Sequence, residues 1–268
     1  MTRVTLVSFG DARSEGSELP THKQFTEIAQ HYDRLMSNVP YRLWVDYLRK
    51  ILDRLGAKPK SVLDVACGTG NVAEEIYDRG YDVVGIDSQP EMIEIARRKA
   101  AESSRLIEYD VQDMTNLSVD RQFDLAVSLF DSFNYVTNPD DLARAMARIF
   151  ERLVPGGLLI FDVNTEYALA HHFFDQCSLE RYPRYAWTSY YDRRTRICRV
   201  EMAFEVLENG GKRQFTEVHL QRAYSTEGLR QMLEGAGFEV VDVFQAYTFK
   251  KPTRRSDRVF FVARRPAP

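Results

Sequence analysis

Gly68 and Gly70 end an apolar run, Ser61-Val62-Leu63-Asp64-Val65-Ala66-Cys67, with Thr69 between them and a helical pattern directly after. A strand that passes through a glycine turn into a helix N-terminus aims backbone N–H groups and the positive end of a helix dipole at one point. Anionic or polar ligand groups are held at such points. Without a Cβ, the turn also lets a ligand approach the backbone closely. Asp87, 19 residues after Gly68, ends a second apolar run. A carboxylate there can accept both hydroxyls of a ribose. On these features alone, Gly68-x-Gly70-x-x-Ala73 with Asp87 also fits a loose dinucleotide template, which leaves a nicotinamide-dependent dehydrogenase open. A second cluster lies far downstream. Over 215–224, period-two alternation sets Glu217, His219 and Gln221 on one face and Val218, Leu220 and Arg222 on the other. A polar face with a central imidazole can serve as a general base or contact an acceptor.

The elements that must position these residues follow from periodicity. Residues 1–20 read as a flexible leader, and 21–268 as one domain. Within it, 21–56 is an N-terminal helical cap, with a helical pattern from 23 to 55 interrupted at Pro40. Strands are expected over 62–65, 83–86, 106–109, 123–129 and 158–163, alternating with helices over 71–79, from Pro90 to about Ala101, and from Pro139 to Leu153. Ser88 with Glu91 has capping-box spacing. Strands alternating with helices imply a mostly parallel sheet covered on both faces. After Val163 the pattern changes. Cys198, Val200, Met202, Phe204 and Val206 alternate with polar residues, and Asn209-Gly210-Gly211 is a turn. Residues 164–224 therefore form an inserted, β-rich antiparallel flap. Ser225 caps a helix, and two strands, 238–247 and 259–263, close the chain.

The string Val62-Leu63-Asp64-Val65-Ala66-Cys67-Gly68-Thr69-Gly70 resembles the first motif of class I S-adenosylmethionine-dependent methyltransferases. The resemblance covers most of the chain from Tyr32 and keeps its order. Asp87 matches the ribose acid, Asp113-Met114 the pair that holds adenine, and Phe123-Asp124-Leu125-Ala126-Val127 the fourth strand. Leu153-Val154-Pro155-Gly156-Gly157 matches the turn before the fifth strand, and 258–264 the last strand, which that family inserts antiparallel. Leu129-Phe130-Asp131-Ser132-Phe133-Asn134-Tyr135 is similar to a string in a branch acting on small molecules. An N-terminal Tyr-Asp helix that closes over the cofactor resembles the same branch.

The resemblance implies an α/β, doubly wound, Rossmann-like, mostly parallel seven-stranded sheet with helices on both faces and an antiparallel last strand. It implies S-adenosylmethionine as cofactor and S-adenosylhomocysteine as product. Tyr32, Asp64, Ala66, Cys67, Gly68 and Gly70 would meet the cofactor's amino-acid end. Asp87, Ser88 and Met92 would take the ribose side, with Gln112, Asp113, Met114 and Leu129 around adenine and the reacting edge. Tyr41, Phe130, Asp131, Phe133, Asn134, Trp187 and Arg222 would face the acceptor, with His219 as the candidate catalytic group. Methyl transfer is an in-line displacement in which the cofactor supplies the electrophile and the protein supplies orientation and a dry site. A hydroxyl acceptor wants a general base, whereas an amine needs only to be neutral and aligned. The implied activity is methyl transfer to a nitrogen or oxygen of a small molecule. A cofactor-binding protein without turnover is the alternative from another class.

Bulk properties bound the partners. With 268 residues, 44% hydrophobic, the chain can bury one large core and a modest insertion. A net charge of -3 gives no global field for nucleic acid. Six arginines between Arg181 and Arg199, interleaved with aromatics, keep RNA as a minor alternative acceptor. Three cysteines without a C-x-x-C fit neither a disulfide framework nor a metal cluster, and adjacent His171 and His172 diverge on a regular element. No metal is expected. No stretch reaches the ~20 apolar residues of a membrane helix. The expected setting is cytoplasmic, with the exposed flap a candidate homodimer surface.

Overall fold

Val62 and Leu63, consecutive in the glycine-turn strand, point to opposite faces of a sheet, and both are fully buried. That requires cover on both sides. The computed structural model describes residues 21–267, His172 excepted. The elements run β1 (Thr21–Lys23), α1 (Tyr32–Leu35), α2 (Tyr41–Leu55), β2 (Ser61–Val65), α3 (Asn71–Tyr77), β3 (Asp82–Asp87), α4 (Pro90–Glu102), β4 (Glu108–Val111), β5 (Phe123–Ser128), α5 (Pro139–Glu151) and β6 (Leu153–Asn164). There follow α6 (Glu166–Ala170), β7 (Gln176–Ser178), β8 (Arg184–Asp192), β9 (Ile197–Glu208), β10 (Gly211–Arg222), α7 (Thr226–Gly235), β11 (Glu239–Gln245) and β12 (Arg258–Arg264).

Seven strands form the main sheet in the order β11-β12-β6-β5-β2-β3-β4. The strands β2 to β6 are parallel, and β12 runs antiparallel between β6 and β11, as expected for the last strand. On one face Val62, Leu125 and Ile160 pack with Ile51 of α2, Ile76 of α3 and Ile93 of α4. On the other, Leu63, Ala126 and Phe161 pack with Leu142 and Ile149 of α5 and Leu229 of α7. The doubly wound arrangement puts the carboxyl ends of β2 to β6 at one edge, with a crevice where β2 and β5 adjoin.

Above that edge stands a second sheet, β1-β10-β9-β8-β7. Its own core contains Val200, Phe204, Val206 and Phe215, and Ile28 of the cap packs into it. The hairpin expected around Asn209-Gly210-Gly211 forms, with Gly211 opposite Glu208.

Three local expectations are corrected. The cap does not start as a helix. Thr21–Lys23 is a strand, parallel to β10 and pairing Thr21 with Thr216; a 3₁₀ turn, Glu27–His31, comes before α1. Ser88 and Glu91 do not make a capping box. The N-cap of α4 is Gln89, without a side-chain cap, because Asp87 itself takes the Gln89 N–H and Pro90 opens the helix. The strand expected over 106–109 lies at Glu108–Val111, where pairing with β3 runs from Val84 to Asp87. Leu106 stays exposed. The leader expected over 1–20 lies outside the described residues. Among the described residues no helix is long and apolar enough to cross a membrane.

Candidate active site

The glycine turn bends through three residues with positive φ: Ala66 at 60°, Gly68 at 54° and Gly70 at 83°. Cys67 N–H donates to the Ile86 carbonyl at 2.9 Å, tying the turn to β3. Asp87 holds it from the other side. Its Oδ2 accepts Gly68 N–H at 2.9 Å and its Oδ1 accepts Gln89 N–H at 2.8 Å. Each oxygen keeps lone pairs for a further donor, the requirement for gripping a diol. Burial pushes the Asp87 carboxyl up, and these backbone donors pull it back. A Cβ at Gly68 would meet no atom within 4 Å, so the turn opens onto free space there. Gly70 differs: a Cβ would collide with the Tyr109 phenol. Its role is close packing at the start of α3. Beneath the turn, Asp64 is buried and its Oδ2 has no hydrogen-bond partner. Burial, and then the charge of Asp87, push its carboxyl up to about 8. An orphaned acid beside one with spare lone pairs suits a ligand carrying several hydrogen-bond donors.

The turn faces a cavity of about 890 Å³ walled by the strand ends, the cap and the flap. Ala66, Cys67, Gly68, Ser88 and Met92 line it, and Gln112, Asp113, Met114 and Leu129 continue the wall beyond β4 and β5. Asp113 Oδ1 accepts Thr115 N–H at 2.8 Å, leaving its second oxygen free of that task. Tyr32 and Tyr41 of the cap both line the cavity. Burial, then the neighbouring Tyr41 and Tyr135, raise the Tyr32 phenol well above its ordinary range. A clasp sets the position of Tyr32. The next residue, Asp33, accepts from Thr69 Oγ1 at 2.5 Å and Asn71 Nδ2 at 2.9 Å, and Lys99 Nζ lies 2.9 Å from its other oxygen.

After β5 the chain makes a turn with two successive left-handed residues, Phe130 at φ 68° and Asp131 at φ 52°. Neither is glycine, so the turn is strained. It holds because Asp162 of β6 accepts both amides, Phe130 N–H at 2.7 Å and Asp131 N–H at 3.1 Å. Arg258 of β12 bridges Asp162 and Asp131, the latter at 2.6 Å, and Gln221 Nε2 donates to Asp131 Oδ2 at 2.7 Å. Phe130, Asp131 and Arg258 line the cavity. Trp187 lines it from the flap, 5.0 Å from the Tyr185 ring and packed on the flap core.

His219 is buried and also borders the cavity. Its Nε2 lies 2.9 Å from Glu217 Oε2 and its Nδ1 3.3 Å from the Tyr135 hydroxyl. Glu217, fully buried, also accepts Phe25 N–H and Ile28 N–H, each at 2.9 Å. The expected polar face of Glu217, His219 and Gln221 therefore turns inward.

Three acceptor-side expectations do not fit this geometry. Phe133 does not line the cavity; its ring packs tilted against Phe161, centroids 4.6 Å apart, in the core. Asn134 is a structural pin, donating to the Asn164 carbonyl at 3.0 Å and the Arg222 carbonyl at 2.9 Å, and accepting Asn164 N–H at 2.9 Å. Arg222 does not line the cavity; it donates to the Thr137 carbonyl at 3.2 Å. On the cofactor side Gly70 is the one that stands back. Phe25, Tyr135, Glu217 and Arg258 were not singled out from sequence. Glu217 was within reach, sharing a face with His219, and Tyr135 ends the quoted string; Phe25 and Arg258 carry no local signal.

Residues 62–157 match a family model described as a methyltransferase domain. A Geobacillus sp. (strain WCH70) protein described as a methyltransferase is 34% identical over 245 residues, covering 90% of this chain and 99% of that one. The Streptomyces venezuelae dTDP-3-amino-3,4,6-trideoxy-alpha-D-glucopyranose N,N-dimethyltransferase is 30% identical over 188 residues, 65% of this chain and 78% of its own. The crystal structure of an S-adenosylmethionine-dependent methyltransferase from Clostridium acetobutylicum superposes with a TM-score of 0.80 at 26% identity, covering 90% of this chain and 98% of that one.

Proposed function

The chain belongs to the class I S-adenosylmethionine-dependent methyltransferases, and on that premise we propose that it methylates a nitrogen or oxygen of a small-molecule acceptor held between the strand ends and the flap. The observation that carries this reading is one cavity lined from the Gly68 turn and Asp87 to Trp187 and His219. When bound, the cofactor supplies a methyl group on a sulfonium sulfur, an electrophile that needs no metal. Asp87 would hold its ribose hydroxyls, Asp64 its amine, and Asp113 with Met114 its adenine. Tyr32, Tyr41 and Phe130 close the space around the reacting edge and exclude water. The acceptor then enters an aromatic-walled chamber of limited size, which suits a small ligand bound largely by apolar contact. The amino-sugar acceptor of the Streptomyces relative supports the same size class.

Against RNA, three of the six flap-region arginines are spent within the protein. Arg184 pairs with Glu205 at 3.2 Å, Arg196 with Glu166 at 3.0 Å and Arg199 with Glu201 at 2.7 Å.

The test has two parts. Calorimetric titration of wild type should show binding of S-adenosylmethionine and S-adenosylhomocysteine but not of NAD, with both lost in Asp87→Ala. An acceptor screen read by S-adenosylhomocysteine release should then give turnover with small amines or hydroxyl compounds. Turnover with RNA or protein alone would overturn the small-molecule assignment.

A further inference from the structure

Glu217, His219 and Tyr135 form a chain of polar groups at the cavity wall, and its direction follows from hydrogen-bond roles. Glu217 accepts two backbone N–H groups, Phe25 at Oε2 and Ile28 at Oε1. Glu217 as a carboxylate accepts both amides and leaves the 2.9 Å contact with His219 to an Nε2–H that donates. A neutral imidazole with its proton on Nε2 has its lone pair on Nδ1. In that tautomer the lone pair lies 3.3 Å from the Tyr135 hydroxyl, which is placed to donate to it. The one basic nitrogen of His219 is therefore already engaged, and the group next in line is the Tyr135 oxygen. The Phe25 ring packs 4.6 Å from the imidazole and 5.1 Å from the Tyr135 ring, covering the pair.

We propose that Tyr135 is a catalytic residue that takes the acceptor's proton while passing its own to His219, and that the acceptor nucleophile is accordingly a hydroxyl. The proposal rests on the small-molecule methyltransferase reading above and names the nucleophile. In balance, the acceptor oxygen bonds to the methyl carbon as the carbon–sulfur bond breaks, its electron pair staying on sulfur as a neutral thioether. The acceptor's O–H proton goes to Tyr135 Oη, and the Tyr135 proton goes to His219 Nδ1. The resulting imidazolium faces the Glu217 carboxylate and gives up its proton to water after product leaves. An amine acceptor would need none of this, since its proton can depart after transfer.

The surroundings favour concerted passage through Tyr135 over a free tyrosinate. Burial above all, with Asp131 and Glu217 adding negative charge, raises the Tyr135 phenol far above its ordinary range, against the opposing effects of Gln221 and Arg258. The ionisable groups facing the chain are Glu217 on β10, Asp131 after β5, Arg258 on β12 and Tyr32 of the cap. Of these, Asp131 and Arg258 are paired to each other.

The experiment combines acceptor turnover with a spectroscopic readout. Matched panels of hydroxyl and amine compounds, phenols and catechols beside anilines and benzylamines, are assayed by S-adenosylhomocysteine release with wild type, Tyr135→Phe and His219→Gln. Turnover should be confined to hydroxyls. Both variants should lose ~10²-fold or more in kcat, with cofactor binding and acceptor KM retained. In ¹⁵N NMR of the cofactor-free protein, His219 should be the Nε2–H tautomer, with an Nδ1 resonance that moves in Tyr135→Phe. Methylation of amines, with both variants within ~3-fold of wild type, would overturn the proposal. If no panel compound turns over, the NMR decides: a proton on His219 Nδ1, or a resonance unmoved by Tyr135→Phe, overturns it. Failure of wild type to bind S-adenosylmethionine would instead sink the underlying reading and is scored separately.

Discussion

Asp64 sits under the glycine turn with one oxygen unpartnered, so burial and the Asp87 charge both oppose its ionisation and its carboxyl is pushed up to about 8. In the unfolded chain the same group titrates near ~3.9. Between those values the folded protein binds more protons than the unfolded one, so stability falls as pH rises from about 4 through about 8. Below that window the contribution is fully present. Urea unfolding should therefore show a larger drop in midpoint from pH 5 to pH 8.5 for wild type than for Asp64→Asn. Equal drops would mean that Asp64 does not carry the coupling. Saturating S-adenosylmethionine should flatten the wild-type slope if its amine satisfies the orphaned oxygen. This residue, with Asp87 and Gly68, was legible because strand, turn and helix follow each other without a break and each position in the turn has one geometric job. Phe133 and Asn134 were not. Their string fixes spacing, but the 3₁₀ turn over Ser132–Tyr135 sends those two inward and leaves Tyr135 at the cavity. Direction within a short turn is set by what lies across it, here Phe161 and Asn164 of β6, some thirty residues on.

Elements were readable where burial dictates a period and misread where a distant partner takes over a local hydrogen bond. The parallel strands, β4 excepted, follow from apolar runs between helices and the β9–β10 hairpin from period-two alternation, while residue type gives the Ser225 cap of α7, whose hydroxyl accepts Gly228 N–H at 3.0 Å. The start of the cap does not, because Glu217, nearly two hundred residues downstream, collects the Phe25 and Ile28 amides and holds the segment beside β10. The same kind of long-range hold governs the post-β5 turn. Its two left-handed residues are anchored by Asp162, and β12 contributes the one cation, Arg258, that serves both Asp162 and Asp131. Removing that cation leaves two buried carboxylates facing each other. Arg258→Met should destabilise the protein by about 3–5 kcal/mol in denaturant titration. Asp131→Asn added to it should recover part of the loss, since one unpaired charge is then gone. A single variant as stable as wild type would show that the turn stands without the ion pairs.

At the scale of the whole molecule, the cavity has walls from three bodies that are joined to one another differently. The seven-stranded sheet and the flap are covalently continuous through β6 and α7, and each has its own apolar core. Between Ile28, packed in the flap core, and α2, packed on the sheet, the stretch carrying Tyr32 is held by a few specific bonds. Glu217 ties it to the flap, and the Asp33 clasp ties it to Thr69, Asn71 and Lys99 beside the glycine turn. The two ties act on opposite ends of the short stretch that carries Tyr32. Releasing one should let that stretch swing while the sheet and flap stay folded, and closure of this kind commonly limits ligand exchange. Asp33→Ala should therefore speed dissociation of S-adenosylmethionine in stopped-flow measurements and expose the cap to trypsin at Arg34 and Arg42. The unfolding midpoint of the remainder should change little, because the ties that are lost lie outside both cores. Cofactor at saturating concentration should slow the cleavage under the proposed placement, in which it fills the cavity that Tyr32 lines. Cleavage unchanged from wild type, or a loss of stability spread over the whole chain, would mean that the stretch around Tyr32 is not an independently held wall of the site.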